Sequence, residues 1–196
     1  MSLQKYVHLC EQLNAQRCHV AERIKITSKS KPLELIRPAT KVELAVLIKE
    51  EVNKQGPDAD LNFIDTSLIT DMSYLFGVGG FSIGNIKIDQ WDVSNVKNMS
   101  YMFISCRKLN CDLSSWNVRN LKITAYMFYD CPNFNCDLSD WDVSNVTNME
   151  NMFNKCTKFK SDLSGWDVSN VIYKAGMFVS CPKMRKNPQL QPNFKN

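Results

Sequence analysis

Apolar and polar residues recur along this chain at one fixed spacing. Four tryptophans stand 25 residues apart, and four cysteines and four asparagines keep the same interval. A Val follows each Trp by two residues, and a Met-Phe pair comes later in each unit. The columns are Trp91, Trp116, Trp141 and Trp166; Asn95, Asn120, Asn145 and Asn170; and Cys106, Cys131, Cys156 and Cys181. An earlier unit at residues 65–76 matches 92–103 with a 27-residue offset. The spacing predicts about five repeats over residues 65–184.

Two shorter periods lie within each unit. Trp116 and Val118 alternate with polar residues, which predicts a short strand with one buried face. In residues 96–106 the apolar positions recur at intervals of three and four, which predicts one face of a short helix. Ser94 or Asn95 stands where a helix N-cap is expected. The predicted fold is therefore an α/β solenoid, leucine-rich-repeat-like, of strand-turn-short-helix coils.

Such a unit cannot bury its apolar face alone, so we expect the units to stack. Equivalent strands then form a parallel sheet, and the tryptophan and cysteine columns point inward as structural ladders. We expect the asparagine column to be buried and to satisfy backbone groups at each turn.

The residues before the repeats predict a helical cap over 32–64. Thr40 and Glu43 have capping-box spacing, and Gly56-Pro57 ends the predicted helix 40–55. Residues 1–31 predict a helical extension, with a helix over 2–23 and a linker at 27–31. That helix either packs on the cap, forms a dimer, or remains a flexible extension. Prolines in residues 185–196 predict a tail that leaves the repeats.

The unit at residues 137–156 resembles the repeat of the BspA-like bacterial surface proteins, which is related to the lipoprotein-associated repeats of mycoplasmas. The likeness extends over about residues 38–184. It implies a leucine-rich-repeat-like fold, a microbial source, a cell-surface or secreted location, and roles in adhesion or protein binding. It implies no catalytic residues. Arg119, Thr124, Tyr173 and Lys174 depart from the repeat pattern.

Charge and hydropathy narrow the function classes. A net charge of +4 does not indicate a nucleic-acid binder. No apolar run reaches the length of a transmembrane helix. The first thirty residues also lack the pattern of a secretory signal, although Met1-Ser2-Leu3 could replace a removed leader.

Reactive residue types are present, but their spacing favours structural roles. The eight cysteines form no C-x-x-C pair, and the only histidines, His8 and His19, lie near the N-terminus, so we expect reduced structural thiols and no metal or cofactor. The aspartate columns either bind calcium or accept hydrogen bonds from turn amides; the second interpretation is favoured. No catalytic triad or phosphate-binding loop is visible, so an enzyme is not expected.

Partner binding is the function that the pattern favours. Two exposed surfaces are candidates: a polar strip on the strand side and a set of apolar residues on the helical side. The second set is Tyr74, Tyr101, Tyr126, Tyr129 and Ile104. These side chains either contact a protein partner or shield the seams between repeats. The expected function is a non-catalytic protein-binding or adhesin-like module. The alternative is a self-associating structural protein that dimerises through a repeat end or the N-terminal helix.

Overall fold

The computed structural model describes residues 35–77 and 83–194. Their regular elements are two α-helices, α1 (Lys41–Gln55) and α2 (Pro182–Lys186), and a 3-10 helix at Pro188–Leu190. The predicted N-terminal helix, the linker at 27–31, and the glycine pair at 79–80 lie outside the described residues.

Helix α1 confirms the element predicted between Thr40 and Gln55. The Thr40 hydroxyl accepts a hydrogen bond from the Glu43 amide, and the Glu43 carboxylate accepts one from the Ala39 amide. Gly56 ends the helix at φ 88°, and its amide donates to the Val52 carbonyl. One face, formed by Leu44, Leu47 and Ile48, is buried against the repeat core.

The predicted α/β solenoid of strand-turn-short-helix coils is wrong. Across residues 35–77 and 83–194 there is no β-strand and no sheet; α1 precedes the repeats, and α2 begins only at their C-terminal end. The leucine-rich-repeat description fails for the same reason. Neighbouring repeats are joined instead by isolated parallel bridges, such as Asn98 to Ile123 and Ile123 to Asn148.

Turns explain the spacing that predicted a helix. The amide of Met102 donates to the Met99 carbonyl and that of Cys106 to the Phe103 carbonyl, which places apolar side chains three residues apart. Between these turns Tyr101 and Ser105 have φ values of 59° and 58°. A right-handed helix cannot continue through left-handed residues, so each repeat remains a chain of turns.

Backbone hydrogen bonds connect each repeat to the next in one direction. The amides of Met99, Tyr101, Phe103 and Ser105 donate at 2.8–2.9 Å to the carbonyls of Ile123, Ala125, Met127 and Tyr129. The following repeats continue this pattern as far as the bond from Lys155 to Val179. In this row the amides face the C-terminal end of the stack and the carbonyls face the N-terminal end.

Aromatic columns fill the interior between these rows. Phe103 and Phe128 stack with ring centroids 5.5 Å apart, and Phe128 and Phe153 stack at 5.6 Å. A second column, Phe134 and Phe159, packs beside them. Because Phe103, Phe128 and Phe153 each contact rings in both neighbouring repeats, the repeats share one continuous core.

The C-terminal residues differ from the expected departing tail. Met184 in α2 is buried, and the Leu163 amide donates to the Leu190 carbonyl at 2.8 Å. Leu190 and Phe194 also pack against the core. This segment therefore covers part of the last repeat.

Candidate functional site

The tryptophan column lies inside the stack and links successive repeats. Each indole is at most 5% exposed. Its Nε1–H donates at 2.9–3.0 Å to a carbonyl in the preceding repeat. The donor and acceptor pairs are Trp91–Leu61, Trp116–Ile88, Trp141–Leu113 and Trp166–Leu138. These side chains therefore provide both apolar packing and hydrogen bonds at each junction.

The asparagine column lies on the surface, whereas the sequence led us to expect it to be buried. The side-chain amides of Asn95, Asn120, Asn145 and Asn170 donate at 2.7–2.9 Å to carbonyls of the preceding repeat. Asn145 also accepts a hydrogen bond from Lys122 Nζ at 3.1 Å. The column therefore connects repeats along their exposed edge.

The cysteine column is buried, and all six cysteines among the described residues are free thiols. The thiols of Cys131 and Cys156 donate to carbonyls of the preceding repeat at 3.0 and 2.9 Å. Burial raises the pKa of Cys106 to about 12 and that of Cys181 to about 11. At neutral pH these thiols are protonated and unsuited to nucleophilic chemistry.

Aspartates on the repeat surface accept hydrogen bonds within their own turns. The carboxylate of Asp142 accepts from both the hydroxyl and the amide of Ser144, and Asp112 accepts from the same groups of Ser114. These bonds lower the pKa of both carboxyl groups. In residues 35–77 and 83–194, no group of three His, Cys, Asp or Glu residues could hold a metal ion.

The tyrosine column, which we define as Tyr74, Tyr101 and Tyr126, is a half-buried row of stacked rings. The Tyr74 and Tyr101 centroids are 4.5 Å apart at an interplanar angle of 3°, and those of Tyr101 and Tyr126 are 4.7 Å apart at 5°. Tyr129 joins Tyr126 at 5.6 Å in a tilted arrangement. Burial and the neighbouring tyrosines raise the pKa of Tyr101 to about 12, so the phenol stays neutral at physiological pH.

Backbone strain accompanies this column. Tyr74, Tyr101 and Tyr126 have φ values of 61°, 59° and 58°. The same position of the next two repeats holds Asn151 at 54° and Gly176 at 73°. The left-handed conformation costs a residue with a Cβ about 1–2 kcal/mol. Gly avoids this cost, and Asn tolerates the conformation better than most other residues. The three tyrosines therefore occupy positions where Gly or Asn would adopt the left-handed backbone at a lower free-energy cost.

Ile104 lies beside the tyrosine column and is also half-buried. A Cβ on Gly77 would lie 2.3 Å from the Ile104 side chain, so the close approach of these repeats requires glycine there. On the next repeat, Lys155 Nζ lies 5.0 Å from the centroid of Tyr129. Of the residues expected to contact a partner, the four tyrosines therefore form one row, with Lys155 at the end that Tyr129 occupies.

The C-terminal face of the last repeat is a feature that sequence reasoning missed. The amides of Lys174, Gly176, Phe178 and Ser180 occupy the positions that donate to the next repeat elsewhere, but they make no backbone hydrogen bond within the described residues. Three apolar side chains near them are more than half exposed: Ile172, Tyr173 and Val179. One sequence signal was present, because Lys174 stands in a column where Met72, Met99 and Met149 are buried.

No helix among residues 35–77 and 83–194 has the length and hydropathy to span a bilayer. No curated protein and no solved structure matches the chain. One family matches residues 48–140 and 124–194, a combined span of about three quarters of the sequence. The two matched ranges cover the C-terminal part of α1 and all of the repeats. The chain belongs to the family described as "Mycoplasma protein of unknown function, DUF285".

Proposed function

We propose that this chain is a non-catalytic protein-binding module, adhesin-like in its use, that contacts its partner through the tyrosine column. The proposal rests on one observation. Three large aromatic residues are kept in left-handed backbone positions, although the same column accepts Asn and Gly in later repeats. Strained residues often mark functional sites, and tyrosine is enriched at protein interfaces.

The geometry of the column supports this use. Its rings are held parallel at 4.5–4.7 Å, so little side-chain entropy remains to be lost on binding. The Tyr126 hydroxyl donates to Glu150 Oε1 at 3.3 Å, which further restrains the ring. A rigid, half-exposed aromatic row offers a partner both apolar surface and hydroxyl groups.

The competing interpretation is that the rings only shield the seams between repeats. The two roles predict different stabilities when the column is replaced by residues that suit left-handed backbone. If the rings shield a seam, Tyr101→Asn and Tyr126→Asn should destabilise the stack strongly. If the rings serve binding, relief of strain should offset part of the lost packing.

The test is binding of the purified chain to cultured epithelial cells and to immobilised extracellular-matrix proteins. We expect the Tyr101→Asn/Tyr126→Asn variant to bind at least about ten-fold more weakly, since aromatic anchors dominate interfaces. Leu68→Asn is the matched control, because Leu68 is 52% exposed and lies outside the column. Undiminished binding by the double variant, or no binding by the unmodified chain to any protein, would reject the proposal.

Self-association through stacked repeat ends is less well supported. The exposed Lys174 replaces a buried methionine at the C-terminal face, and a further repeat would have to bury that charge.

We also propose that the chain is related to the BspA-like surface proteins and is located at the cell surface. Labelling of intact cells with an antibody to this chain tests the location.

A further inference from the structure

The last repeat keeps the backbone conformation of the repeats before it. Gly176 and Ser180 have φ values of 73° and 56°, close to 54° and 65° at Asn151 and Lys155. The carbonyls of Tyr173, Ala175, Met177 and Val179 accept hydrogen bonds from the preceding repeat. The amides between these carbonyls therefore face away from the stack, in the direction that the equivalent amides face in all the preceding repeats.

This row of four amides, those of Lys174, Gly176, Phe178 and Ser180, is termed the open amide row. Its flanking residues are accessible: Ile172 is 70% exposed, Tyr173 is 59% exposed, and Lys174 and Ser180 are also exposed. The C-terminal segment covers the neighbouring core around Met184 and reaches the row at one point, where Lys174 Nζ lies 5.1 Å from the centroid of the Phe194 ring. The row thus presents hydrogen-bond donors spaced at every second residue.

The charged side chains of the segment that carries the row are all basic. Residues 168–194 contain four basic side chains, Lys174, Lys183, Arg185 and Lys186, and no Asp or Glu. The aligned peptide groups add their positive ends at the same face, because their N–H bonds point outward. A binding partner must therefore supply acceptors and favours negative charge.

A second copy of the chain does not fit this description. Two open amide rows facing each other would bring donors against donors. At the opposite end of the stack, Lys41 of α1 donates to the Ser73 hydroxyl at 2.7 Å and pairs with Asp71 at 3.2 Å. A cation therefore already lies where a head-to-tail copy would have to approach the carbonyl end of the stack.

We infer that the open amide row docks an acidic peptide of a partner protein that follows the turned backbone of a repeat, so that its alternate carbonyls accept the four hydrogen bonds. Addition of a backbone segment to an unpaired edge is a recurring mode of peptide recognition. Lys174 and the basic residues of α2 face the acidic side chains, while Ile172 and Val179 provide apolar contact. This site is separate from the tyrosine column.

The test is an NMR titration of the full chain with a blocked, glutamate-rich peptide that carries glycine at every fourth residue, the spacing of the left-handed positions 176 and 180, and that is long enough to present four carbonyls. We expect the amide signals of Lys174, Gly176 and Ser180 to move downfield and saturate. A peptide of the same length with lysine in place of glutamate should not bind.

Two variants separate hydrogen bonding from charge. Lys174→Gln removes the cation and keeps the amide, whereas Lys174→Pro removes both. We expect Lys174→Gln to weaken binding about three-fold, and Lys174→Pro to weaken it by roughly a further five-fold for one lost hydrogen bond. Tyr101→Asn/Tyr126→Asn should bind the peptide normally, which distinguishes this site from the tyrosine column.

Three results would overturn the inference. The first is the absence of any shift in the open amide row. The second is shifts confined to Lys183, Arg185 and Lys186, which would indicate charge attraction alone. The third is a dimer in light scattering whose formation protects the open amide row from hydrogen exchange, which would assign this face to a second copy.

Discussion

Replacement of Trp141 by phenylalanine measures how strongly the indole column joins two repeats. The indole N–H donates to the Leu113 carbonyl at 3.0 Å, and the ring stacks on that of Trp116 with centroids 6.5 Å apart. The carbonyl also accepts the Trp116 amide, so it would not be left unpaired. Loss of the indole bond should therefore cost only about 1 kcal/mol.

The smaller ring adds two further costs. A residual space of roughly 40 Å³ costs about 1 kcal/mol at about 24 cal/mol per Å³. Lost apolar burial adds roughly 0.5–1 kcal/mol. The sum is about 3 kcal/mol, which lowers the Tm of a chain of this size by about 6–12 °C.

Thermal and urea unfolding followed by circular dichroism provide the assay. Incorporation of benzothienylalanine at position 141 separates the two effects, because this residue keeps the ring shape and lacks the N–H. This replacement should lower the free energy of unfolding by about 1 kcal/mol. Unchanged stability of the benzothienyl protein would refute the hydrogen-bond reasoning, and unchanged stability of Trp141→Phe would refute the packing reasoning as well.

Three further predictions concern backbone, carboxylates and thiols. Ser105→Gly should raise the free energy of unfolding by about 0.5–1 kcal/mol, because Ser105 has φ 58°, whereas Ser164→Gly should lower it by a similar amount in the same urea titration. Hydrogen bonds from Ser144 lower the pKa of Asp142, so its stabilisation is complete above about pH 4 and is lost as pH falls through the lower folded-state pKa. Asp142→Asn should flatten this acid loss in unfolding curves measured across pH, and an unchanged slope would count against the turn bond. In a Cys10→Ser/Cys18→Ser variant, the six remaining thiols should resist Ellman's reagent until denaturant is added; rapid reaction in the native state would contradict their burial.

The sequence predicted the repeat spacing and helix α1, but not the conformation within each repeat. Apolar intervals of three and four are produced by an α-helix and by successive turns alike, so residues 96–106 suggested the wrong element. The left-handed backbone at Tyr101 has no signature of its own in an aromatic residue. In the sequence, this conformation was indicated by Gly176, which holds the equivalent position in the last repeat.

Of the two candidate surfaces, the sequence predicted only one. The tyrosine column was visible as a side-chain pattern, because Tyr74, Tyr101 and Tyr126 hold equivalent positions. The open amide row was not, since backbone amides are common to every residue except proline. Only the pattern of hydrogen bonds between repeats shows which amides lack a neighbour.

Hydrogen exchange at the four indole N–H groups tests most directly whether the repeats stack in the described register. The chain has four tryptophans, so each indole gives its own signal in a ¹⁵N-correlated NMR spectrum. Because every indole N–H is buried and donates to a carbonyl of the preceding repeat, we predict that all four signals persist long after transfer to D₂O. Loss of all four signals within the dead time of the experiment would contradict the stacked arrangement.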